Sequence, residues 1–92
     1  MYKLNYYRKV STGLASEKQN LEYTGTGETF RLRRNALHYL FEIVQSEYMS
    51  MGYAIEKRVG SLFCYKSGKT AEGDRKIVEV LIKIEKTEKA QG

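Results

Sequence analysis

Residues 35–52, Asn-Ala-Leu-His-Tyr-Leu-Phe-Glu-Ile-Val-Gln-Ser-Glu-Tyr-Met-Ser-Met-Gly, form the stretch of sequence that decides the fold. Its large apolar side chains recur at intervals of three and four residues, which is the spacing of one face of an amphipathic helix. The members of this stripe are Leu37, Leu40, Phe41, Val44, Tyr48 and Met51. Asn35 is a suitable N-cap and Gly52 a suitable stop. The spacing therefore predicts a helix over residues 35–51.

The start of this helix has an alternative. Phe30 and Arg33 fall on the same stripe when it is extended backwards, so the helix could begin near residue 28 instead of near residue 35. We favour the later start, with residues 21–24 and 28–33 as two short strands joined by a turn at Gly25-Thr26-Gly27. In that hairpin the inward side chains are Phe30 and Leu32, and the outward ones are Thr29, Arg31 and Arg33.

Outside the helix the apolar residues repeat every second position, as they do in half-buried strands. On residues 2–10 one face carries Tyr2, Leu4, Tyr6 and Val10, with Arg8 among them, and the other carries Lys3, Asn5, Tyr7 and Lys9. Later strands include Tyr53, Ile55 and Val59, then residues 62–66, and then Val78, Val80, Ile82 and Ile84, with a loop over 67–75 before the last.

These elements predict one domain over residues 1–92, with a loop at 11–20 and a fraying tail at 87–92. The predicted class is α+β: an antiparallel sheet of four to five strands with one amphipathic helix packed on one face.

Composition excludes several classes of protein. One cysteine rules out an internal disulfide framework and a cysteine-rich zinc site. No stretch approaches the ~20 apolar residues of a membrane span, and the N-terminal residues lack the apolar core of a signal peptide. We expect no membrane association and a cytoplasmic protein, in the host bacterium if the chain is phage-encoded. The net charge of +5 favours polyanionic partners.

Three features resemble catalytic or binding motifs but are better explained structurally. Gly68-Lys69-Thr70 ends like a phosphate-binding loop, but residue 63 is Phe where that motif needs Gly, and a strand follows instead of a helix. His38 has only Glu42 nearby as a second possible metal ligand. Cys64 lies between Phe63 and Tyr65 in a strand, where nothing would lower its pKa. We therefore expect that the protein is not an enzyme and that it binds no cofactor and no metal ion.

The most informative functional signal is basic. Arginine binds phosphate or carboxylate with two parallel hydrogen bonds, and tyrosine rings can stack on bases. Basic and tyrosine residues alternate or cluster in three places along the chain. The predicted partner- or nucleic-acid-binding residues are Tyr6, Tyr7, Arg8, Lys9, Arg31, Arg33, Arg34, Lys57 and Arg58. The alternative is that these are solvated strand edges whose charges discourage edge pairing.

In its small size and lack of catalytic motifs the chain is similar to phage-encoded inhibitors of bacterial defence, such as anti-CRISPR proteins. The resemblance covers no particular residue, so it assigns no site. It implies a non-enzymatic binding protein that inhibits a larger, nucleic-acid-containing host complex by occupying its surface. One alternative is a module that binds DNA or RNA directly through a basic, tyrosine-rich sheet face. A third hypothesis is a structural protein that forms homo-oligomers through its sheet edges; the sequence leaves the oligomeric state open.

Overall fold

The computed structural model of the protein describes residues 1–12 and 21–87. The elements in this part of the chain are, in order, β1 (Tyr2–Thr12), β2 (Glu22–Phe30), a helix over residues 33–50, β3 (Ala54–Arg58), β4 (Ser61–Lys69) and β5 (Arg75–Lys86). The predicted α+β fold is confirmed. Ser11 and Thr12 extend β1 beyond the predicted strand. The rest of the predicted loop and residues 88–92 of the predicted tail lie outside the described residues.

The strands form one five-stranded sheet in the order β2-β1-β5-β4-β3, in which all neighbours are antiparallel. Its register sets the core, because Leu4 lies opposite Ile84 and Tyr6 opposite Ile82. The predicted division of residues 2–10 into two faces is therefore confirmed. The fully buried apolar side chains lie between this face and the helix: Leu4, Leu40, Val44, Leu62, Cys64, Val80 and Ile82.

The helix begins two residues earlier than predicted. Its N-cap is Leu32, which makes no capping hydrogen bond through its side chain. Asn35 already lies in the first turn and donates its backbone N–H to the Leu32 carbonyl at 3.1 Å, so the prediction of Asn35 as the N-cap is wrong. Gly52 ends the helix as predicted. Its φ of +90° is costly for other residues, and it lets the Tyr53 N–H reach back to the Tyr48 carbonyl at 3.0 Å.

The middle of the helix contains a wide turn. Residues Tyr39–Val44 are π-helical, and the Gln45 N–H donates to the Leu40 carbonyl, five residues back. The predicted stripe faces the core on both sides of this turn, since Leu40 and Val44 are buried and Tyr48 packs against them. Met51 was predicted to belong to the core and is 49% exposed, because the helix ends at Ser50, one residue before it.

The predicted hairpin at residues 25–27 is wrong. Gly25-Thr26-Gly27 lies inside one continuous strand, β2, which pairs with β1 through two register shifts. Glycine is needed there for space: a Cβ on Gly27 would lie 2.7 Å from Cε1 of Tyr6. Phe30 packs on the core as predicted, whereas Leu32 is 47% exposed because the strand ends before it. Arg31 and Arg33 are consequently not strand residues.

Two tight turns complete the sheet. Val59 was predicted to be an inward strand residue and is 97% exposed, because it forms the turn between β3 and β4 with Gly60, whose φ is +71°. The turn between β4 and β5 is closed by a 2.8 Å hydrogen bond from the Thr70 N–H to the Asp74 carbonyl. It is shorter than the predicted loop over 67–75, and Gly68 and Lys69 belong to β4. A strand follows this turn, as expected, and not the helix of a phosphate-binding loop.

Candidate nucleic-acid interface

The alternation of β1 divides the predicted residues 6–9 between the two sides of the sheet. Tyr7 and Lys9 lie on the side away from the helix, which we call the open face. Tyr6 and Arg8 lie on the helix side. Burial, followed by the nearby hydroxyls of Tyr48 and Tyr39, raises the pKa of Tyr6 to about 12. Tyr6 is therefore half-buried against the core and not placed to stack on a base.

Strand β3 divides its two predicted residues in the same way. The Lys57 Nζ lies 5.3 Å from the ring centre of Phe41, on the helix side. The guanidinium of Arg58 lies 4.7 Å from the ring centre of Phe63, on the open face. Arg58 also donates two hydrogen bonds, of 2.6 and 3.0 Å, to Oε1 of Glu56. Arg58 is thus held over an aromatic ring by its neighbouring carboxylate.

The three clustered arginines lie at the junction of β2 and the helix. Arg31 is in the bend, Arg33 and Arg34 begin the helix, and all three are exposed. The first helical turn contains no acidic residue. A Cβ built on Gly60 would lie 3.3 Å from Nη2 of Arg33, so this guanidinium reaches the β3–β4 turn. The arginines therefore form a group of their own at the helix N-terminus.

The open face carries a row of large side chains that crosses four strands. Tyr23 of β2 lies opposite Tyr7 of β1, which lies opposite Leu81 of β5, which lies opposite Phe63 of β4. The rings of Tyr7 and Tyr23 meet edge to face with centroids 5.6 Å apart. Phe63 lies 5.8 Å from the ring of Tyr65, two residues further along β4. We call Tyr23, Tyr7, Leu81 and Phe63 the aromatic row.

The aromatic row is accessible. Tyr23 is 56% exposed, and the other three side chains are half-buried by their neighbours in the sheet. The helix packs on the opposite side, so no element among residues 1–12 and 21–87 covers the open face. Antiparallel sheets commonly leave one face to water, but the outward residues are then mostly polar, so a group of uncovered aromatic side chains is a candidate binding surface.

Basic side chains border the aromatic row. The Lys83 Nζ lies 5.8 Å from the ring centre of Tyr7, and Lys9 lies 3.8 Å from a carboxylate oxygen of Glu79. Arg58 and Lys83 therefore lie over rings of the row, and Lys9 is on the same face, paired with Glu79. The sequence predicted Tyr7, Lys9 and Arg58 as binding residues, but it missed Tyr23, Phe63 and Lys83. Only the register of the sheet shows that all six share one surface.

A polar network supports one end of the aromatic row. The side-chain amide of Asn5, which is 6% exposed, donates to Oε1 of Glu85, and the Tyr7 hydroxyl donates to the same oxygen at 3.0 Å. The Thr26 hydroxyl donates to Asn5 Oδ1 at 2.8 Å. The hydrogen bonds from Asn5 and then Tyr7 hold the pKa of Glu85 below its ordinary value. Tyr7 is thereby held in one orientation by its hydroxyl.

The groups considered for catalysis lie apart from this surface. Cys64 is fully buried in the core, and burial raises the pKa of its thiol to about 11, so it is protonated at neutral pH. His38 is exposed on the helix. Within the described residues, no three His, Cys, Asp or Glu side chains are grouped so that they could hold a metal ion. No helix in the same part of the chain is long and apolar enough to cross a membrane.

Comparisons with known protein families, with curated proteins and with solved structures found no match.

Proposed function

We propose that this chain is a non-enzymatic binding protein whose open face binds single-stranded nucleic acid. The observation that carries the proposal is the aromatic row with cations held beside its rings. Aromatic side chains on a sheet surface offer a stacking partner to any unpaired base. Lysine and arginine beside them offer charge to the phosphates that link those bases.

The dimensions of the aromatic row suit a short single strand. Neighbouring strands are about 4.8 Å apart, so a row across four strands spans roughly 14 Å. That length accommodates two or three unstacked bases with their backbone. A duplex hides the faces of its bases, and the open face has no protruding helix to enter a major groove. The geometry therefore favours single strands over duplexes.

The charges beside the row support the same partner. Lys83 and Arg58 lie over the rings of Tyr7 and Phe63, so a base that stacks on either ring would displace the cation towards the phosphates beside that base. Three carboxylates also lie on the open face. Glu56 is paired with Arg58 and Glu79 with Lys9, so their negative charge is partly offset before a polyanion arrives. Glu85 accepts hydrogen bonds from the neutral side chains of Asn5 and Tyr7 and keeps its charge.

The test is a binding titration of labelled 12-nucleotide oligothymidine and oligouridine, followed by fluorescence anisotropy at low and moderate salt. We expect Tyr23→Ala to weaken binding about 5- to 150-fold, the range for loss of one stacking contact. Met49→Ala is the matched control, since Tyr23 and Met49 are both 56% exposed but Met49 is on the helix. Binding to a 12-base-pair duplex should be weaker than to either single strand.

A pair of lysine variants separates charge on the open face from charge in general. Lys83 and Lys57 both lie over an aromatic ring, but on opposite faces of the sheet. We expect Lys83→Gln to weaken binding and to lower its salt dependence, and Lys57→Gln to change neither. If Tyr23→Ala and Lys83→Gln bind both oligonucleotides as the parent does, the proposal is wrong.

Inhibition of a larger, nucleic-acid-containing host complex is the second proposal. Exposed tyrosines and arginines are the residue types that carry most binding energy at protein interfaces, and the chain holds them on the open face and at the helix N-terminus. Capture from a bacterial lysate, with and without nuclease, distinguishes the two. Capture of the same proteins after nuclease treatment favours the inhibitor; loss of capture favours direct nucleic-acid binding.

A further inference from the structure

A second charged surface lies on the helix side of the sheet, beyond the end of the helix. The helix stops at residue 50, and its last turn contacts the start of β3. Strands β1, β4 and β5 continue past it, towards Thr12, Lys69 and Arg75. A pocket of about 260 Å³ opens there, and its lining residues are Arg8, Tyr53, Lys66, Ser67, Gly68, Lys69, Lys76 and Val78. We call it the basic pocket.

Four of the lining residues are basic, and none of the described residues that line the pocket is acidic. Three of them, Arg8, Lys66 and Lys76, lie on the helix side by the register of the sheet. Among the described residues, Glu22, Glu72 and Asp74 do not line the pocket, although Glu22 lies opposite Arg8 in the register of β1 and β2. Among the described residues, the four cations form no ion pair within 4.0 Å. Like charges gathered in one concavity repel one another, so a bound anion would relieve a cost that the fold otherwise bears.

The fold positions one of these cations and leaves open space beside the others. The Lys66 Nζ donates a 2.7 Å hydrogen bond to the Met51 carbonyl at the helix C-terminus and lies 5.5 Å from the ring centre of Tyr53. Because an ammonium has three donors, two remain for a ligand. Gly68 lies directly opposite Lys76, and a Cβ built on it would meet no atom of residues 1–12 or 21–87 within 4 Å. A ligand could therefore approach the backbone of β4 closely.

We propose that the basic pocket binds a compact oligophosphate group, such as the phosphate chain of a nucleoside triphosphate. Three cations on the helix side of the sheet, Arg8, Lys66 and Lys76, with Lys69 at the end of β4, suit a ligand that carries several phosphate charges better than one that carries a single phosphate. The volume is below the roughly 300–1,000 Å³ of pockets that enclose drug-sized ligands, so it suits the phosphate chain and not a whole nucleotide. The proposal is independent of the open face, which lies on the other side of the sheet.

The test uses inorganic tripolyphosphate as the probe, with binding measured by isothermal titration calorimetry. We expect measurable binding by the parent, weaker binding of monophosphate, and a loss of about tenfold or more in each of Arg8→Gln and Lys76→Gln, as for removal of a charge-assisted contact. Lys86→Gln is the matched control, since Lys86 is on the same strand and the same side as Lys76 but at the opposite end of the sheet. This variant should bind tripolyphosphate as the parent does.

A space-filling variant gives an independent readout. Because the position above Gly68 is open, Gly68→Asp should fold normally and place a carboxylate in the pocket. We expect it to abolish tripolyphosphate binding, while its thermal unfolding stays close to that of the parent. The proposal is wrong if Gly68→Asp binds tripolyphosphate as tightly as the parent does. It is also wrong if Arg8→Gln and Lys76→Gln both do.

Two further measurements distinguish a nucleotide from a nucleic-acid backbone as the source of the phosphates, and binding in the pocket from binding on the open face. ATP should compete with tripolyphosphate, and a 12-nucleotide oligothymidine at equal phosphate concentration should compete less well. Stronger competition by the oligonucleotide would mean that the pocket follows a nucleic-acid backbone, which contradicts the proposal. Tyr23→Ala should leave tripolyphosphate binding unchanged. Variants of the open face therefore test the proposed function, and variants of the basic pocket test this proposal.

Discussion

The two faces of the sheet are built from the same strands but differ in chemistry. Ile82 lies under the helix and is fully buried, whereas its neighbour Leu81 lies in the aromatic row and is half-buried. The covered face is mainly aliphatic and includes the free thiol of Cys64. The open face has aromatic rings with cations over them. One strand can therefore supply the stability of the fold from one set of residues and a binding surface from the alternate set.

The largest expected effect is on the free energy of unfolding, which should depend much more on the buried residues of the covered face than on those of the open face. We expect Ile82→Ala to lower the free energy of unfolding by about 2–5 kcal/mol, because it leaves a cavity among fully buried side chains. Leu81→Ala should cost about 1 kcal/mol, because a half-buried side chain loses less contact. Urea denaturation followed by circular dichroism measures both.

Leu40→Ala, on the helix side of the same core, is the companion variant to Ile82→Ala. It should fall in the same range of about 2–5 kcal/mol. If Leu81→Ala and Ile82→Ala lower the free energy of unfolding equally, the covered face does not supply more of the stability than the open face, as we propose it does.

The sequence predicted the sheet well because alternation is a local property of each strand. The faces of residues 2–10 and of the strand from Val78 to Ile84 could be assigned from side-chain type alone. The exposure of Met51 could not, because the helix ends at Ser50, one residue before this last member of the predicted stripe. Gly25 and Gly27 also misled the prediction, because glycine occurs in turns and equally inside a strand, where Gly27 leaves room for the ring of Tyr6.

The candidate site was harder to predict than the fold. Clusters along the chain suggested one basic, tyrosine-rich surface, but strand alternation sends Tyr6 and Tyr7 to opposite faces. The aromatic row joins residues from β2, β1, β5 and β4, and its members are far apart in the sequence. Such a surface depends on strand order and register, which side-chain types within a single strand do not determine.

Alkaline pH is expected to act on the covered face. Burial raises the pKa of Cys64 from about 9 to about 11 and that of Tyr6 from about 10 to about 12. For such groups the unfolded chain releases the proton first, so the stabilisation is complete below the unfolded pKa and is lost as pH rises through the folded pKa. We expect the free energy of unfolding to fall between about pH 9 and pH 12, measured by urea denaturation at each pH.

Single-site variants assign this pH dependence. Tyr6→Phe keeps the ring and removes the hydroxyl, so the decline above about pH 10 should become shallower. Tyr65→Phe is the control, since Tyr65 is 46% exposed on the open face and its hydroxyl is not held in the core. A decline of unchanged slope in Tyr6→Phe would show that the Tyr6 hydroxyl does not titrate differently in the folded and unfolded protein.

The smallest expected effect on stability belongs to the arginine cluster, which lies on neither face. Cations at a helix N-terminus oppose the helix dipole, and the first turn here has no carboxylate to offset Arg33 and Arg34. Replacing Arg31 and Arg34 by Gln should therefore leave the melting temperature unchanged or slightly raised. Arg33 is kept in this variant because its guanidinium reaches the turn at Gly60.

The binding of the same variant shows whether the cluster extends the open face. If Arg31 and Arg34 contact phosphates, the slope of log affinity against log salt for oligothymidine should fall by about one unit for each arginine removed. Lysine at both positions should restore the slope but only part of the affinity, because lysine keeps the charge and loses the paired hydrogen bonds of the guanidinium. A lower melting temperature with an unchanged salt slope would show instead that the arginines stabilise the junction between β2 and the helix. The aromatic row would then bind its partner without them.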